Sequence, residues 1–294
     1  MLYQYSDYLF PLLIAIGVGF GLLVIFKKLN KLNLEKKLYL RLIVVMSYAG
    51  LAFYLGARFF DDLFHFINGE PWGKGGITFI GGMVSALATF IILFMVFLKP
   101  LRRKFFIILN IIVTGIAIGH AFGRVGCFCA GCCYGKVTDS ALGVHFPGNY
   151  YLDDNLIIKG SASDGYRHLF YDKLAEYPFN EAVSAHNKAM ANYYFDQAKA
   201  YADATKLLPT QLIEVAFLLF LFSILMLIKS KQFPVYLISY GVYRFFAEYL
   251  RYDNRGATSF GISPSQLMSI ILIISGISVF IIYILLNKKK QIEG

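Results

Sequence analysis

The stretch "QLIEVAFLLFLFSILMLIKSKQFPVYLISYGVYRFFAEYLR", residues 211–251, decides the reading of the fold. It contains two apolar runs, extending over about 209–228 and 233–250, joined by a basic hinge at Lys229 and Lys231. Each is close to the roughly 20 apolar residues that a helix needs to cross a bilayer. The second run ends in charge: Arg244, Glu248 and Arg251 follow one another at i, i+4 and i+7, a spacing that places them along one helix face.

Five more runs of the same kind lie outside this stretch, at about 8–26, 38–58, 77–98, 105–122 and 264–286. The chain is 57% hydrophobic and 16% charged, against roughly 25% charged residues in soluble domains. The composition predicts an all-α, polytopic membrane protein. Seven transmembrane helices form a single membrane domain over residues 1–294, because in lipid only helices and closed barrels satisfy their own backbone. The first run follows no basic segment and shows no small-residue cleavage site, so it is read as a retained span.

A net charge of +10 would suit a nucleic-acid partner, but the basic residues sit between the spans. Residues 27–37, 99–104, 229–231 and 287–291, with Arg41, hold 15 of the 28 lysines and arginines, all on one side if the spans alternate. The excess of basic residues in short cytoplasmic loops then puts the N-terminus outside and the C-terminus in the cytoplasm. No nucleic acid is expected as a partner. The sizeable insertion, 147–208 between the fourth and fifth spans, opens with turn-rich sequence and continues into an Ala-rich helical segment. It is expected to form a small extracytoplasmic cap, with a solvated spacer as the alternative.

Ionisable residues in or at the ends of spans mark function by default. Arg58 ends the second run, His120 and Arg124 lie a turn apart at the end of the fourth, and Arg244, Glu248 and Arg251 close the sixth. By the topology above, all of these ends face the outer side. Snorkelling would explain a single arginine, but not Arg244, which sits inside its run with an acidic partner one turn away. A guanidinium fork suits phosphate, and at that depth the phosphates belong to lipid headgroups. The glycines of "GHAFGRVG", 119–126, are what a re-entrant turn lining a cavity would need.

The blocks "GAR" (56–58), "GRVGCF" (123–128), "PTQLIE" (209–214), "YGVYRFFAEYLRYD" (240–253) and "SPSQLMS" (263–269) resemble, in order and spacing, the signature of the prolipoprotein diacylglyceryl transferase family. The resemblance implies an enzyme of the bacterial cytoplasmic (inner) membrane with its active site facing the outer leaflet. Such an enzyme moves the diacylglyceryl group of phosphatidylglycerol to the lipobox cysteine of a lipoprotein precursor and releases glycerol phosphate. On this analogy Arg124 and Arg244 hold the phosphate and Glu248 orients Arg244. Arg58, Gly123, Gly126, Cys127, Gln211, Tyr240 and Arg251 would bind substrate.

The chain departs from the family pattern at several polar positions. Ile80 stands where the family has the histidine of "HGG", and Leu208 where a histidine precedes "PTQ". Cys127, Ala130 and Cys132 replace the two asparagines and the glutamate of "GNFxNGE". His120 then becomes the candidate base for the acceptor thiol, whose free pKa near 8.5 leaves little thiolate at neutral pH. These departures also admit a paralogue with the same lipid donor and another acceptor, or a non-catalytic lipid-binding or transport protein.

All four cysteines, Cys127, Cys129, Cys132 and Cys133, fall within seven positions. Four readings stay open. A metal clip matches poorly, because structural zinc sites more often use separated ligand pairs. A disulfide from Cys127 or Cys129 to Cys132 or Cys133 suits an oxidising compartment. A reactive thiol at Cys127 or Cys132 would gain thiolate character beside Arg124, allowing a covalent intermediate or redox control. Inert packing needs nothing further. No metal and no cofactor is assigned.

Overall fold

The structure is a computed structural model that describes residues 6–67, 71–73, 79–252 and 262–292. The glycine-rich residues 74–78 and most of the last expected outer loop, 253–261, lie outside the described residues. Helices occupy the seven apolar runs: α1 (Ser6–Asn30), α2 (Lys36–Ile67), α3 (Phe79–Phe97), α4 (Phe105–Cys129), α8 (Thr210–Leu227), α9 (Gln232–Ala247) and α10 (Pro264–Ile292). The insertion carries α5 (Asp164–Leu174), α6 (Phe179–Ser184) and α7 (Lys188–Ala204) with a two-stranded hairpin, β1 (Tyr151–Leu152) and β2 (Ile158–Lys159). Among the described residues, five helices are long and apolar enough to cross a membrane, and Gly81–Phe97 is a shorter apolar helix. With this many apolar helices the chain is an all-α, multi-pass membrane protein. Tyr236, Tyr240 and Arg244 lie along α9 at four-residue spacing and contribute to the site below.

The chain divides into two compact units. One, residues 26–109, is centred on α2 and α3. Their close approach depends on glycine: a Cβ at Gly82 would stand 2.7 Å from the carbonyl oxygen of Phe53, and small residues at such crossings let helix backbones meet. One sequence expectation is corrected here: Arg58 does not end a helix, since α2 runs on to Ile67. The basic segment Lys99–Lys104 between the third and fourth runs is a 3-10 turn leading into α4.

The other unit comprises residues 1–25 and 110–294. In it α1 crosses α4 through paired small residues, where a Cβ on Gly115 would come within 2.5 Å of the Gly21 carbonyl oxygen. Val113, Ala117 and Ala121 of α4 pack with Leu218, Leu221 and Leu225 of α8 and Tyr236 and Tyr240 of α9. Each set repeats at three or four residues, so each helix offers one stripe to the others. The helix α9 also packs on α10, with Gly241 against the Ser269 backbone. The insertion packs around an apolar cluster. Tyr166, Leu169, Phe170, Phe195 and Ala198 form its centre, and Ser163 caps α5 while donating to the Pro147 carbonyl (2.9 Å).

Candidate functional site

Followed toward one end of the bundle, the three apolar stripes turn polar in step. On α4 the stripe 113, 117, 121 leads to His120 and Arg124; on α8, 225, 221, 218 leads back to Glu214 and Gln211; on α9, 236 and 240 lead to Arg244. The packing that brings the apolar residues together therefore brings these together as well.

Glu214 is at the centre. Its Oε1 pairs with Nε of Arg124 (3.0 Å), accepts a hydrogen bond from the Tyr240 hydroxyl (3.0 Å) and lies 3.6 Å from Nε2 of His120. Only 7% of the Glu214 side chain and 17% of that of Arg124 is exposed. The His120 ring stands edge-on to Tyr240, and its Nδ1 is 3.4 Å from the Tyr236 hydroxyl. One turn beyond Tyr240, Arg244 pairs with Glu248 at 2.9 Å, again mostly buried. Two guanidiniums and two carboxylates balance within this cluster. A buried charge left without its partner costs several kcal/mol, roughly 3–5 when one member of a pair is removed.

The helix α4 runs unbroken through Gly123 and Gly126 to Cys129, so the re-entrant turn expected at these glycines is absent. The chain reverses later, at Gly131 (φ 66°) and Cys133 (φ 62°). A left-handed φ at a non-glycine residue is uncommon, and here two hydrogen bonds from α8 hold it. Thr210 Oγ1 donates to the Cys133 carbonyl (2.7 Å), and Gln211 Nε2 donates to that of Cys132. Oε1 of Gln211 is buried and meets no hydrogen-bond donor among the described residues. The segment after the turn bridges two distant blocks. Gly135 donates its N–H to the Leu208 carbonyl (2.8 Å) and Lys136 to that of Leu250 (2.9 Å), with Gly135 opposite Arg251 in an antiparallel bridge. A Cβ at Gly135 would meet Leu250 O at 2.6 Å and Leu208 O at 2.9 Å. Glycine is what lets the three blocks touch.

Cys127, Cys132 and Cys133 converge, their Sγ atoms all within 4.8 Å of one another, and all four cysteines are free thiols. Hydrogen bonds from the Cys127 and Cys132 thiols hold the Cys133 thiol below the ordinary thiol range against the opposing effect of burial, and the charges of Arg251 and Arg124 add to this.

Of the residues singled out in the sequence, Arg124, His120, Arg244, Glu248, Gln211, Tyr240, Arg251, Cys127 and Cys132 all lie in this end of unit 1, with Arg251 buried. Gly126 packs on Phe10, whereas a Cβ at Gly123 would meet nothing within 4 Å. Arg58 belongs to the other unit and is exposed, and Ile80 lies in α3 with its side chain outside the described atoms. The sequence reading missed Glu214 and Tyr236. Glu214 had a signal, as the sole acidic residue in the apolar run 209–228.

A family model described as prolipoprotein diacylglyceryl transferase matches residues 4–282. The chain is 29% identical over 184 residues to phosphatidylglycerol–prolipoprotein diacylglyceryl transferase 2 of Clostridium perfringens, covering 63% of this chain and 55% of that protein. It is 31% identical over 172 residues to the Clostridium tetani protein named as such a transferase, covering 58% and 51%. It is 28% identical over 291 residues to the Treponema denticola transferase, covering 83% and 78%. The matches to the two clostridial proteins thus span about half of their length.

Proposed function

The chain belongs to the prolipoprotein diacylglyceryl transferase family, and on that premise we propose that it transfers the diacylglyceryl group of phosphatidylglycerol to a cysteine thiol of a lipoprotein precursor. The donor binds from the outer leaflet, with the N-terminus outside and the C-terminus in the cytoplasm, and the insertion 147–208 lies on the extracytoplasmic side. The lipobox cysteine attacks the glyceryl carbon that bears the phosphate ester, and glycerol phosphate leaves.

The observation that carries this reading is the buried network in which Glu214 holds Arg124 by Nε while Glu248 holds Arg244 one turn from Tyr240. An arginine held at Nε keeps its terminal nitrogens for a phosphate, the planar fork that lysine lacks. Fixed donors aimed at the oxygen where charge develops stabilise the leaving phosphate without reorganising during the reaction. The orphaned Oε1 of Gln211 marks a place for a donor from the substrate, for which a glycerol hydroxyl is suited. His120, between Glu214 and Tyr236, orients this network.

The test is turnover in detergent or proteoliposomes with headgroup-labelled phosphatidylglycerol and a lipobox peptide. Release of labelled glycerol phosphate together with a thioether-linked lipid on the peptide is expected. No release, beside an active Clostridium tetani relative, would overturn the proposal. Release with a whole-lipid extract but not with the peptide would favour the paralogue with another acceptor, which the cysteines at 127 and 132 motivate. Lipid retained without turnover would indicate the binding or transport protein.

A further inference from the structure

The reaction proposed above needs a thiolate, yet Ile80 stands in the position of the family pattern's histidine and His120 is engaged with Glu214 and Tyr236. The converging thiols offer another route. A zinc ion bonded to sulfur at about 2.3 Å in tetrahedral geometry sets its sulfurs about 3.8 Å apart. The Sγ atoms of Cys127, Cys132 and Cys133 already lie within 4.8 Å of one another, within a small rotamer adjustment of that triangle. A disulfide would use two of the three and leave the third without a role.

The backbone is built to gather them. Cys127 sits in the last turn of α4, and the chain then turns back through left-handed Gly131 and Cys133. The Cys132 amide returns to the Cys127 carbonyl at 3.2 Å, and the hydrogen bonds from Thr210 and Gln211 hold the two carbonyls of the turn. A strained residue held in this way at a site is part of what the site does. Three thiolates and a divalent ion carry one net negative charge, and Arg124 lies in the same helix one turn before Cys127. Cys129, two residues after Cys127 and on another face of α4, is not among the converging thiols.

We propose that Cys127, Cys132 and Cys133 form a three-thiolate zinc site whose fourth position takes the acceptor cysteine as its thiolate. The metal site stands on the geometry alone; its use of the acceptor rests on the transfer reaction proposed above. On coordination the acceptor S–H gives its proton to water, since a metal-bound thiol is deprotonated. A sulfur lone pair then forms the S–C bond to the glyceryl carbon. The C–O bond to the phosphate breaks with its electron pair on oxygen, and the thioether product, a neutral and weaker ligand, leaves the metal. No oxidant or reductant is required.

The experiment uses the full chain, purified in detergent from cells supplied with zinc, with metal measured by mass spectrometry. About one zinc per chain is expected for a site of this kind. Cys129→Ser keeps it, while Cys127→Ser, Cys132→Ser and Cys133→Ser each weaken binding by about tenfold or more. Cobalt substitution gives a thiolate-to-metal charge-transfer band that intensifies with a lipobox cysteine peptide and not with its serine counterpart. Wild-type protein with no bound metal and four freely alkylated thiols overturns the site, as does loss of metal from Cys129→Ser equal to that of the other three. A cobalt band indifferent to the cysteine peptide overturns the acceptor role, and so does full turnover by metal-stripped protein. If the band responds to the peptide but no glycerol phosphate is ever released, the transfer reaction fails and the metal site stands.

Discussion

The insertion and the α4, α8, α9 bundle belong to one compact unit but are built inside out relative to each other. In the insertion Tyr166, Leu169 and Phe170 are buried, while the ion pairs Arg167–Asp164, Lys173–Glu176 and Lys199–Asp203 lie at the surface. In the bundle Phe220 is 65% and Leu227 81% exposed, while Arg124, Glu214, Arg244 and Glu248 are turned inward. The difference lies in the solvent. Water drives apolar groups inward and pays for exposed charge, so the insertion folds as a soluble protein does. Lipid leaves apolar side chains indifferent and makes charge tolerable only where another side chain satisfies it.

That contrast can be broken most severely at Arg124. Replacing it with Ala leaves Glu214 buried without its cation, and the transfer rate should fall about a hundredfold or more. Arg124→Lys should recover only part of it, because a point charge does not reproduce the fork. Initial rates with labelled lipid and peptide measure both. Next in size is Phe170→Ala in the insertion, fully buried among aromatic neighbours, which should cost about 3–5 kcal/mol in the unfolding of that module, read by its proteolytic susceptibility. Gly135→Ala should destabilise by about 1–3 kcal/mol, since its methyl meets two carbonyl oxygens, and should lower the melting temperature and the rate together. The smallest effect belongs to Lys199→Ala. Its pair with Asp203 spans 3.3 Å at a partly exposed surface, and removing such a pair changes stability by less than about 0.5 kcal/mol. A large loss there would mean that the insertion does not face water.

The arginine and glutamate of "YRFFAE" could be paired from sequence because both lie on one helix at i and i+4, and the structure has that pair at 2.9 Å. The partner of Arg124 could not be paired in this way. Glu214 is on another helix, and only the packing of the α4 and α8 stripes brings it within 3.0 Å. Arg58 illustrates the converse: its place at the end of an apolar run suggested that a helix ends there, but α2 continues past it to Ile67. Gly123 and Gly126 suggested a turn, yet helical hydrogen bonding within α4 carries the chain through them.

The sequence by itself determined which segments are helices, because a run of about 20 apolar residues has no other stable form in lipid. It determined the ordered motif blocks as well, and with them the family. Tertiary structure decided what those blocks do to one another: that Glu214 holds Arg124, that Gly135 draws the cysteine turn against Leu208 and Leu250, and that three of the four thiols meet while Cys129 stands apart. The physical reason is range. Helix formation depends on hydrogen bonds between residues four apart, whereas a buried charge or a cluster of thiols depends on which helix faces which.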